Sequence, residues 1–203
     1  MKFAKEWKLK TYVSSFLNCN LYLLDSGEEQ VLIDPCVPYS EVFHGSNNLL
    51  AIFFTHIHID HVMELPSYLE NTNANLYFHP NGLDKFTDAY KNGGEFLNNP
   101  KKFQLPKERI VLVDEQSTYS IGDREFRVLE TPGHTDCSIC IISENLLITG
   151  DTLFKGTIGR VDLYSSSRLA MMQSLDKLGS LESDYQVLPG HGPHTVLSSE
   201  KLN

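Results

Sequence analysis

The chain has 203 residues, 41% hydrophobic and 21% charged, which is ordinary for a single globular domain spanning residues 1–203. Its formal net charge of −9 argues against nucleic acid and against an anionic membrane as partners, because both repel an acidic surface. No stretch approaches the roughly 18 consecutive apolar residues of a membrane span, which argues against a transmembrane protein.

The first third of the chain predicts β structure. Short apolar runs typical of strands cover Tyr12–Leu17, Leu21–Leu24 and Val31–Ile33. The Asp25-Ser26-Gly27 segment is typical of a turn between the second and third runs. A further run, Leu49–Phe54, is rich in Ile and Phe and predicts a buried strand that leads directly into His56.

The middle of the chain predicts helices and a long loop. His61–Glu70 has apolar residues at helical spacing, and its Pro66 fits a helix only within the first turn. Leu76–Phe78 predicts a short strand, and Gly82–Tyr90 predicts a helical segment. The polar stretch Lys91–Arg109 predicts a loop with helical pieces, and a loop of this length in a compact domain is often functional.

The last part of the chain again predicts mostly strands. Strand-like runs cover Ile110–Val113, Glu125–Leu129, Ser138–Ile142, Leu146–Thr149 and Gln186–Leu188. Arg168–Leu178 has apolar residues at helical spacing and predicts a helix. Strands therefore dominate each half, with helices between them, as in an α/β protein. A four-layer αββα sandwich fits this pattern, although periodicity alone does not select it.

The strongest chemical signal follows the predicted strand Leu49–Phe54. Four potential metal ligands lie within six positions: His56, His58, Asp60 and His61. Imidazole nitrogen and carboxylate oxygen are both ligands that zinc accepts. A polar loop with three histidines by chance is the alternative, and it is disfavoured because the whole chain has only 8 histidines. The segment therefore predicts a metal site.

Three further signals each lie just past a predicted strand and beside glycine. They are TPGHT around His134, GDT around Asp151 and PGHG around His191. Glycine lets the backbone turn sharply at a strand end and approach a ligand closely. Each signal alone is more typical of an ordinary turn, but all of them in one chain with the first cluster favour a shared site.

These motifs resemble those of the metallo-β-lactamase superfamily. The pattern His-x-His-x-Asp-His, followed by His134, Asp151 and His191, has the order found in that family. NCNLYLL at 18–24 and VLIDP at 31–35 resemble its opening strands, while TPGHT, GDTLF and LPGHGP resemble its later motifs. The resemblance covers roughly residues 16 to 193. It implies an αββα sandwich with a metal site at one edge, between the sheets.

The resemblance also implies a ligand set for two metal ions. The first ion would be held by His56, His58 and His134, the second by Asp60, His61 and His191, with Asp151 bridging the two. Two zinc ions are expected, and iron or manganese would suit the same ligands. In this family a bridging water or hydroxide is the nucleophile, and Asp60 would orient it and handle its proton.

Asp151 narrows the resemblance within the superfamily. A bridging aspartate resembles the glyoxalase II, lactonase and related hydrolase branches, and GDTLFKGTIGRVDL at 150–163 looks most like the small glyoxalase II-like hydrolases. This implies hydrolysis of a small thioester such as a hydroxyacylglutathione. Glyoxalase II itself carries a C-terminal helical region that binds glutathione, whereas this chain stops about a dozen residues after His191, so glutathione recognition carries over poorly. RNA-processing relatives need a basic insertion that this acidic chain lacks.

Two basic residues just after Asp151 are candidates for substrate binding. Lys155 and Arg160 would meet an anionic group of a small-molecule substrate. The alternative is a solvated basic loop, or a structural ion pair between Arg160 and Asp162. Both alternatives stay open from the sequence.

Other activities also remain open. A mononuclear iron persulfide dioxygenase shares this fold and the ligands of the first metal, and a lactone or β-lactam hydrolase would use the same nucleophile. A metal-stabilised binding module without activity is disfavoured, because all seven ligands are present. Oligomeric state has no visible signature in the sequence.

Several other polar residues have possible supporting roles. Asp34 is either a carboxylate behind a metal-bound histidine or an ordinary turn residue, and Thr55 and Thr135 are weaker candidates for fixing ligands. Cys137 and Cys140 have C-x-x-C spacing, but residues three apart on a strand face opposite sides, so ordinary core packing is expected. Scattered cysteines and the lack of an apolar N-terminal stretch favour the cytoplasm.

Overall fold

The computed structural model describes residues 5–200 and contains two six-stranded sheets. The first sheet has the order β1-β2-β3-β4-β5-β6. The first three strands are antiparallel, and β3 to β6 are parallel. Its strands are β1 Lys8–Val13, β2 Asn20–Asp25, β3 Gln30–Ile33, β4 Leu49–Phe53, β5 Asn75–Phe78 and β6 Ile110–Leu112.

The second sheet has the order β14-β13-β10-β9-β8-β7. Its neighbours are antiparallel except for β10 and β13, which run parallel. Its strands are β7 Thr118–Ile121, β8 Arg124–Glu130, β9 Ile139–Ser143, β10 Leu146–Gly150, β13 Gln186–Pro189 and β14 Thr195–Val196. A separate two-stranded hairpin is formed by β11 Leu153–Phe154 and β12 Thr157–Ile158.

Helices cover the outer faces of the sheets. The α-helices are α1 Tyr39–Val42, α2 Ile59–Val62, α3 Leu65–Asn71 and α4 Arg168–Gly179. Short 3₁₀ turns occur at Pro80–Gly82, Asp84–Phe86, Lys107–Arg109 and Leu197–Ser199. None of the helices in the described part of the chain has the length and apolar character that crossing a membrane requires.

The period of two along each strand sorts the core into three layers. In β2, Tyr22 and Leu24 face the second sheet and form a central cluster with residues such as Phe126 and Ile141. The alternate residues of the first sheet pack against α1 to α3. The outer face of the second sheet packs against α4, where Met171 is fully buried. This is the four-layer αββα sandwich that the sequence predicts.

Some predicted elements differ from the structure. The predicted helix His61–Glu70 is divided into α2 and α3, and Pro66 lies in the first turn of α3, where a missing N–H costs nothing. Gly82–Tyr90 contains only 3₁₀ turns rather than a helix. The run Tyr12–Leu17 is mostly a turn, because β1 ends at Val13. The strands β7, β11, β12 and β14 are too short or too polar for the apolar pattern to reveal them.

Candidate metal centre

The first part of the candidate site lies where β4 ends, at the edge between the two sheets. The chain leaves β4 at Phe53 and reaches α2 at Ile59, so the predicted ligands fall on a short turn and the first helical turn. His56, His58 and His61 are all buried, and Asp60 is nearly so. One segment therefore brings four ligand side chains to one place.

The second part comes from three separate strand ends in the other sheet. His134 follows β8, Asp151 directly follows β10, and His191 follows β13. Gly150 has φ +48°, and a Cβ there would lie 2.4 Å from Thr55 Oγ1, so the backbone of β10 touches the ligand segment of the first sheet. A Cβ on Gly190 would lie 2.2 Å from Asp151 Oδ1. The glycines beside the ligands are required by this close approach.

The predicted ligands of the first metal converge on one point. His58 Nδ1 lies 3.2 Å from His56 Nε2 and 2.8 Å from His134 Nε2. The ligand nitrogens of these three rings all lie within 4.8 Å of one another, which is the spacing of a metal site. Three imidazole nitrogens at such short mutual distances suit zinc or another borderline cation.

The predicted ligands of the second metal form an adjacent group. His191 Nε2 lies 3.3 Å from His61 Nε2 and 3.2 Å from Asp60 Oδ2. These three residues also have the spacing of a metal site. The carboxylate makes this group more oxygen-rich than the first, which suits a cation that accepts mixed nitrogen and oxygen ligands.

Asp151 lies between the two groups. Its Oδ1 is 3.3 Å from His61 Nε2, and its Oδ2 is 3.4 Å from His134 Nε2 and 3.6 Å from His191 Nε2. Oδ1 is buried and has no hydrogen-bond partner among residues 5–200. A buried carboxylate oxygen without a partner is costly, and a cation shared by the two groups would satisfy it. The donor set therefore fits two metal ions.

The electrostatics of the site also favour cations. Burial, followed by the charges of neighbouring histidines, holds the pKa of His56 well below its ordinary value and lowers the pKa of His58 to about 3. Burial likewise lowers the pKa of His134. Burial opposes ionisation of Asp60 and Asp151, but the histidines, led by His61, outweigh it and lower the pKa of both carboxyls. The neutral imidazoles of the first group and the ionised carboxylates are the forms that bind metal. Burial opposes protonation of His61 and His191, but the neighbouring carboxylates outweigh it and raise the pKa of both, so a cation bound there would displace protons.

Hydrogen bonds from behind fix the orientation of the ligand histidines. Asp34 Oδ2 lies 2.8 Å from His61 Nδ1 and accepts from Thr55 Oγ1 at 2.6 Å, while Oδ1 accepts from the Thr55 N–H at 2.8 Å. His134 Nδ1 lies 2.9 Å from the Arg160 carbonyl oxygen. His191 Nδ1 lies 3.1 Å from the carbonyl oxygen of Leu17. In each ring the other nitrogen, Nε2, faces the site.

The other sequence candidates lie elsewhere or serve the core. Asp34 contacts the His61 ring, as the first of its two interpretations expects. The Thr135 hydroxyl bonds to Cys137 and Ser138 rather than to a ligand histidine. Cys137 and Cys140 are both buried, in two different core clusters, so the prediction of ordinary packing is confirmed.

An open cleft of about 400 Å³ lies over the metal-ligand groups. Its floor is formed by the ligands His58, Asp60, His134, Asp151 and His191. Its walls are mostly apolar and include Leu17, Phe96, Phe154, Ile158 and Leu163. A concave, mainly apolar site with convergent polar groups is typical of a small-molecule site.

The two basic candidates occupy different positions relative to this cleft. Arg160 lines it, but its guanidinium donates two hydrogen bonds of 2.9 Å to Asp162, the ion pair that the sequence left open. Lys155 lies exposed at the tip of the β11–β12 hairpin and is not among the described residues that line the cleft. Their roles in substrate binding stay predictions.

Sequence reasoning did not single out the apolar residues of the cleft wall. Phe96 belongs to the long loop Lys91–Arg109, which was expected to be functional, and an aromatic residue within a polar, glycine-rich stretch was the available signal. The apolar pattern predicts a strand at Leu17, whereas the structure places Leu17 in a turn with φ +54°. Ile158 lies in a two-residue strand that leaves no apolar period.

Comparisons with known proteins identify relatives that cover nearly the whole chain. Residues 15–191 match the family model described as the metallo-beta-lactamase superfamily. The probable metallo-hydrolase YqgX of Bacillus subtilis (strain 168) is 31% identical over 192 residues, covering 91% of this chain and 90% of the relative. The solved structure of the BLEG-1 B3 metallo-beta-lactamase superposes with a TM-score of 0.86 at 27% identity, covering 95% of each chain. TTHA1623, solved in a di-iron-bound form, gives a TM-score of 0.80 at 30% identity over 94% of this chain and 96% of that one.

Proposed function

The chain belongs to the metallo-beta-lactamase superfamily, and from this premise we propose that it is a metal-dependent hydrolase that holds two zinc ions and cleaves a small thioester. The observation that carries the proposal is the position of Asp151. Its buried carboxylate contacts both groups of ligand atoms, because Oδ2 lies 3.4 Å from His134 Nε2 and 3.6 Å from His191 Nε2. Oδ1 lies 3.3 Å from His61 Nε2 and has no other partner among residues 5–200, so the carboxylate has the position that a two-cation centre needs.

The proposed ligands are those predicted from the sequence. His56, His58 and His134 would hold one ion, Asp60, His61 and His191 the other, and Asp151 would be shared. Cations bound there would lower the pKa of water and polarise a carbonyl group, which is the chemistry that hydrolysis of a thioester requires.

The protein's own groups supply orientation and proton handling. Asp60 lines the cleft and is ionised, because the neighbouring histidines lower its pKa despite burial. Its carboxylate is therefore placed to accept a proton from attacking water. The bonds from Asp34, from the Arg160 carbonyl and from the Leu17 carbonyl hold three ligand rings in one orientation, so the site is organised before substrate arrives.

Two alternatives have specific support. The di-iron form of TTHA1623 supports iron as an alternative metal, since that protein is 30% identical to this chain. The structural likeness to BLEG-1, a B3 metallo-beta-lactamase, supports β-lactam hydrolysis as a second candidate reaction. Persulfide dioxygenase chemistry with a single iron would require oxygen consumption, which an oxygen electrode measures directly.

The test is hydrolysis of S-lactoylglutathione by zinc-loaded protein. Turnover is expected, and the Asp151→Ala variant is expected to lose on the order of 10³-fold in rate, because several kcal/mol of transition-state stabilisation depend on the metals it would share. Asp176→Ala on the exposed face of α4 is the matched control, with a rate within about twofold of the parent.

Failure has a definite meaning in this design. If zinc-loaded protein turns over neither S-lactoylglutathione nor simpler thioesters, the thioester assignment is wrong, and β-lactam hydrolysis becomes the leading candidate. If Asp151→Ala retains the parent rate, the dinuclear site is wrong as well.

A further inference from the structure

Exposed apolar side chains surround the entrance to the metal centre. Leu17, Phe96 and Ile158 line the cleft, and 57%, 64% and 37% of their surfaces are exposed. They come from three segments far apart in sequence, yet they meet around one concavity. Exposed apolar groups gathered at a concave site with polar groups at its floor are typical of a ligand-binding surface.

Leu17 is held in a strained conformation that serves this site in two ways. It has φ +54°, a left-handed conformation that a leucine rarely adopts and that glycine or asparagine would take at lower cost. In this conformation its carbonyl oxygen accepts from His191 Nδ1, while its side chain lines the cleft. Strained residues persist where the surrounding structure and function require them.

Phe96 is carried by a loop that is fastened to the metal-binding segment. Asn92 is fully buried, its Nδ2 donates to the Lys85 carbonyl oxygen at 2.9 Å, and its own carbonyl accepts from the Ile59 N–H at 2.9 Å. The Gly94 N–H closes the turn by donating to Asn92 Oδ1 at 2.9 Å. The loop is therefore anchored at the start of α2, and Phe96 projects from a fixed base.

Away from the metal ions that its floor would hold, the wall of the cleft offers little to an anionic substrate group. Arg160 is the only lysine or arginine among the described residues that line it. Its Nε and Nη2 both donate to the Asp162 carboxylate, each at 2.9 Å, so Asp162 offsets its charge and only its remaining N–H groups are left for a substrate carboxylate. The remaining charged side chains of the lining, Asp60 and Asp151, are acidic ligands.

We propose that the acyl group of the substrate is an uncharged, apolar chain of several carbons that packs against Leu17, Phe96 and Ile158. The proposal rests on the proposed thioester hydrolysis and adds its substrate class. The substrate preference that it predicts differs from that of an enzyme selective for the short, polar acyl groups of hydroxyacylglutathiones.

The test uses thioesters of N-acetylcysteamine, an uncharged thiol, with acetyl, butyryl, hexanoyl and succinyl groups. For zinc-loaded protein, kcat/KM is expected to rise about fourfold per added methylene from acetyl to hexanoyl, the value for burying one methylene. The succinyl thioester, which has a carboxylate in place of the terminal methyl of the butyryl group, is expected to react at least about tenfold more slowly than the butyryl thioester.

Substitutions in the cleft wall test whether its apolar side chains cause the dependence on chain length. Phe96→Ala and Ile158→Ala are expected to lower kcat/KM for the hexanoyl thioester about tenfold, and to leave the acetyl thioester within about twofold. Leu169→Ala removes an apolar side chain that is 70% exposed on α4, outside the cleft lining, and is expected to change neither substrate. A flat dependence on chain length, or a preference for succinyl over butyryl, would overturn the proposal.

A binding measurement keeps this proposal separate from the proposed reaction. Aceto-, butyro- and hexanohydroxamic acid carry the same acyl chains on a metal-binding group, and calorimetry gives their affinity without turnover. If no thioester is cleaved but affinity rises with chain length and falls in Phe96→Ala, thioester hydrolysis is wrong and the apolar acyl site stands. Equal affinity for all three acids would show that the cleft has no apolar acyl site, whichever reaction the protein catalyses.

Discussion

The two sheets bring their ligands to the centre in different ways. The first sheet supplies His56, His58, Asp60 and His61 from one continuous segment at the end of β4. The second sheet supplies His134, Asp151 and His191 from three strand ends that are far apart in sequence. The first group depends on local structure, whereas the second depends on how strands of the whole sheet are arranged.

The residues that support the ligands of the first sheet differ from those that support the ligands of the second sheet. Behind the first group stands a side chain, Asp34, which contacts His61 and Thr55. Behind the second group stand backbone carbonyls, those of Arg160 and Leu17, and glycines that allow close packing. Ligands from one segment are thus held by a polar network, and ligands from separate strands are held by backbone geometry.

Gly150→Ala should produce the largest loss of activity, and it acts on the ligands of the second sheet. Gly150 has φ +48°, and the added Cβ would lie 2.4 Å from Thr55 Oγ1 and 2.5 Å from Thr55 Cβ. The methyl group must displace either Asp151 or the Thr55–Asp34 network, so hydrolysis should fall on the order of 10³-fold. Metal content by elemental analysis should fall with it.

Gly27→Ala is the matched control for the backbone strain in that variant. Gly27 has φ +84° in the β2–β3 turn, and a Cβ there would meet nothing within 4 Å. It should lower the free energy of unfolding by about 1 kcal/mol and leave activity and metal content unchanged. Equal losses in the two variants would show that strain, rather than close approach to the ligand segment, explains Gly150.

Asp34→Asn should have a smaller effect, and it acts on the ligands of the first sheet. An amide replaces one acceptor oxygen with a donor, so it cannot accept from the Thr55 N–H, the Thr55 hydroxyl and His61 all at the same time. Affinity for zinc should fall about 10- to 100-fold, the usual effect of removing a partner behind a ligand histidine. Competition with a fluorescent zinc chelator measures this loss.

Asp25→Asn, at the far end of β2, is the corresponding control. Asp25 accepts from Lys10 and from the Gly27 N–H, away from the centre. Zinc affinity in this variant should equal that of the parent. An Asp34→Asn protein with parental zinc affinity would mean that the β4 segment alone orients its ligands.

The same contrast explains how much the sequence predicts. The His56–His61 segment is visible as a cluster because its ligands are local, and the layered fold follows once the family resemblance is recognised. His134, Asp151 and His191 each look like ordinary turn residues and gain meaning only together. The sequence does not predict the cleft wall, because Leu17, Phe96 and Ile158 meet only through tertiary structure. The loop that carries Phe96 and the two-residue strand that carries Ile158 also have no apolar period.

The last prediction compares one histidine from each proposed metal site, His58 and His191, which also come from different sheets. In the metal-free protein, burial and then the charge of His134 lower the pKa of His58 to about 3 from 6.5, so the folded state keeps this ring neutral. Burial also opposes protonation of His191, but its bond to Asp60 and the charge of Asp151 outweigh it and raise its pKa. His58 and His191 should therefore affect acid stability in opposite directions.

The sign follows from which state binds the proton. Below pH 6.5 the unfolded chain protonates His58 and the folded protein does not, so stability present above pH 6.5 is lost on acidification, by about 2 kcal/mol between pH 7 and pH 5. His191 does the reverse: its contribution is complete below pH 6.5 and is lost as the pH rises through its raised pKa. In urea unfolding with a chelator present, His58→Gln should weaken the loss of stability at pH 5, and His191→Gln should deepen it. Parallel pH profiles for both variants and the parent would mean that these two rings do not differ in protonation in the metal-free protein.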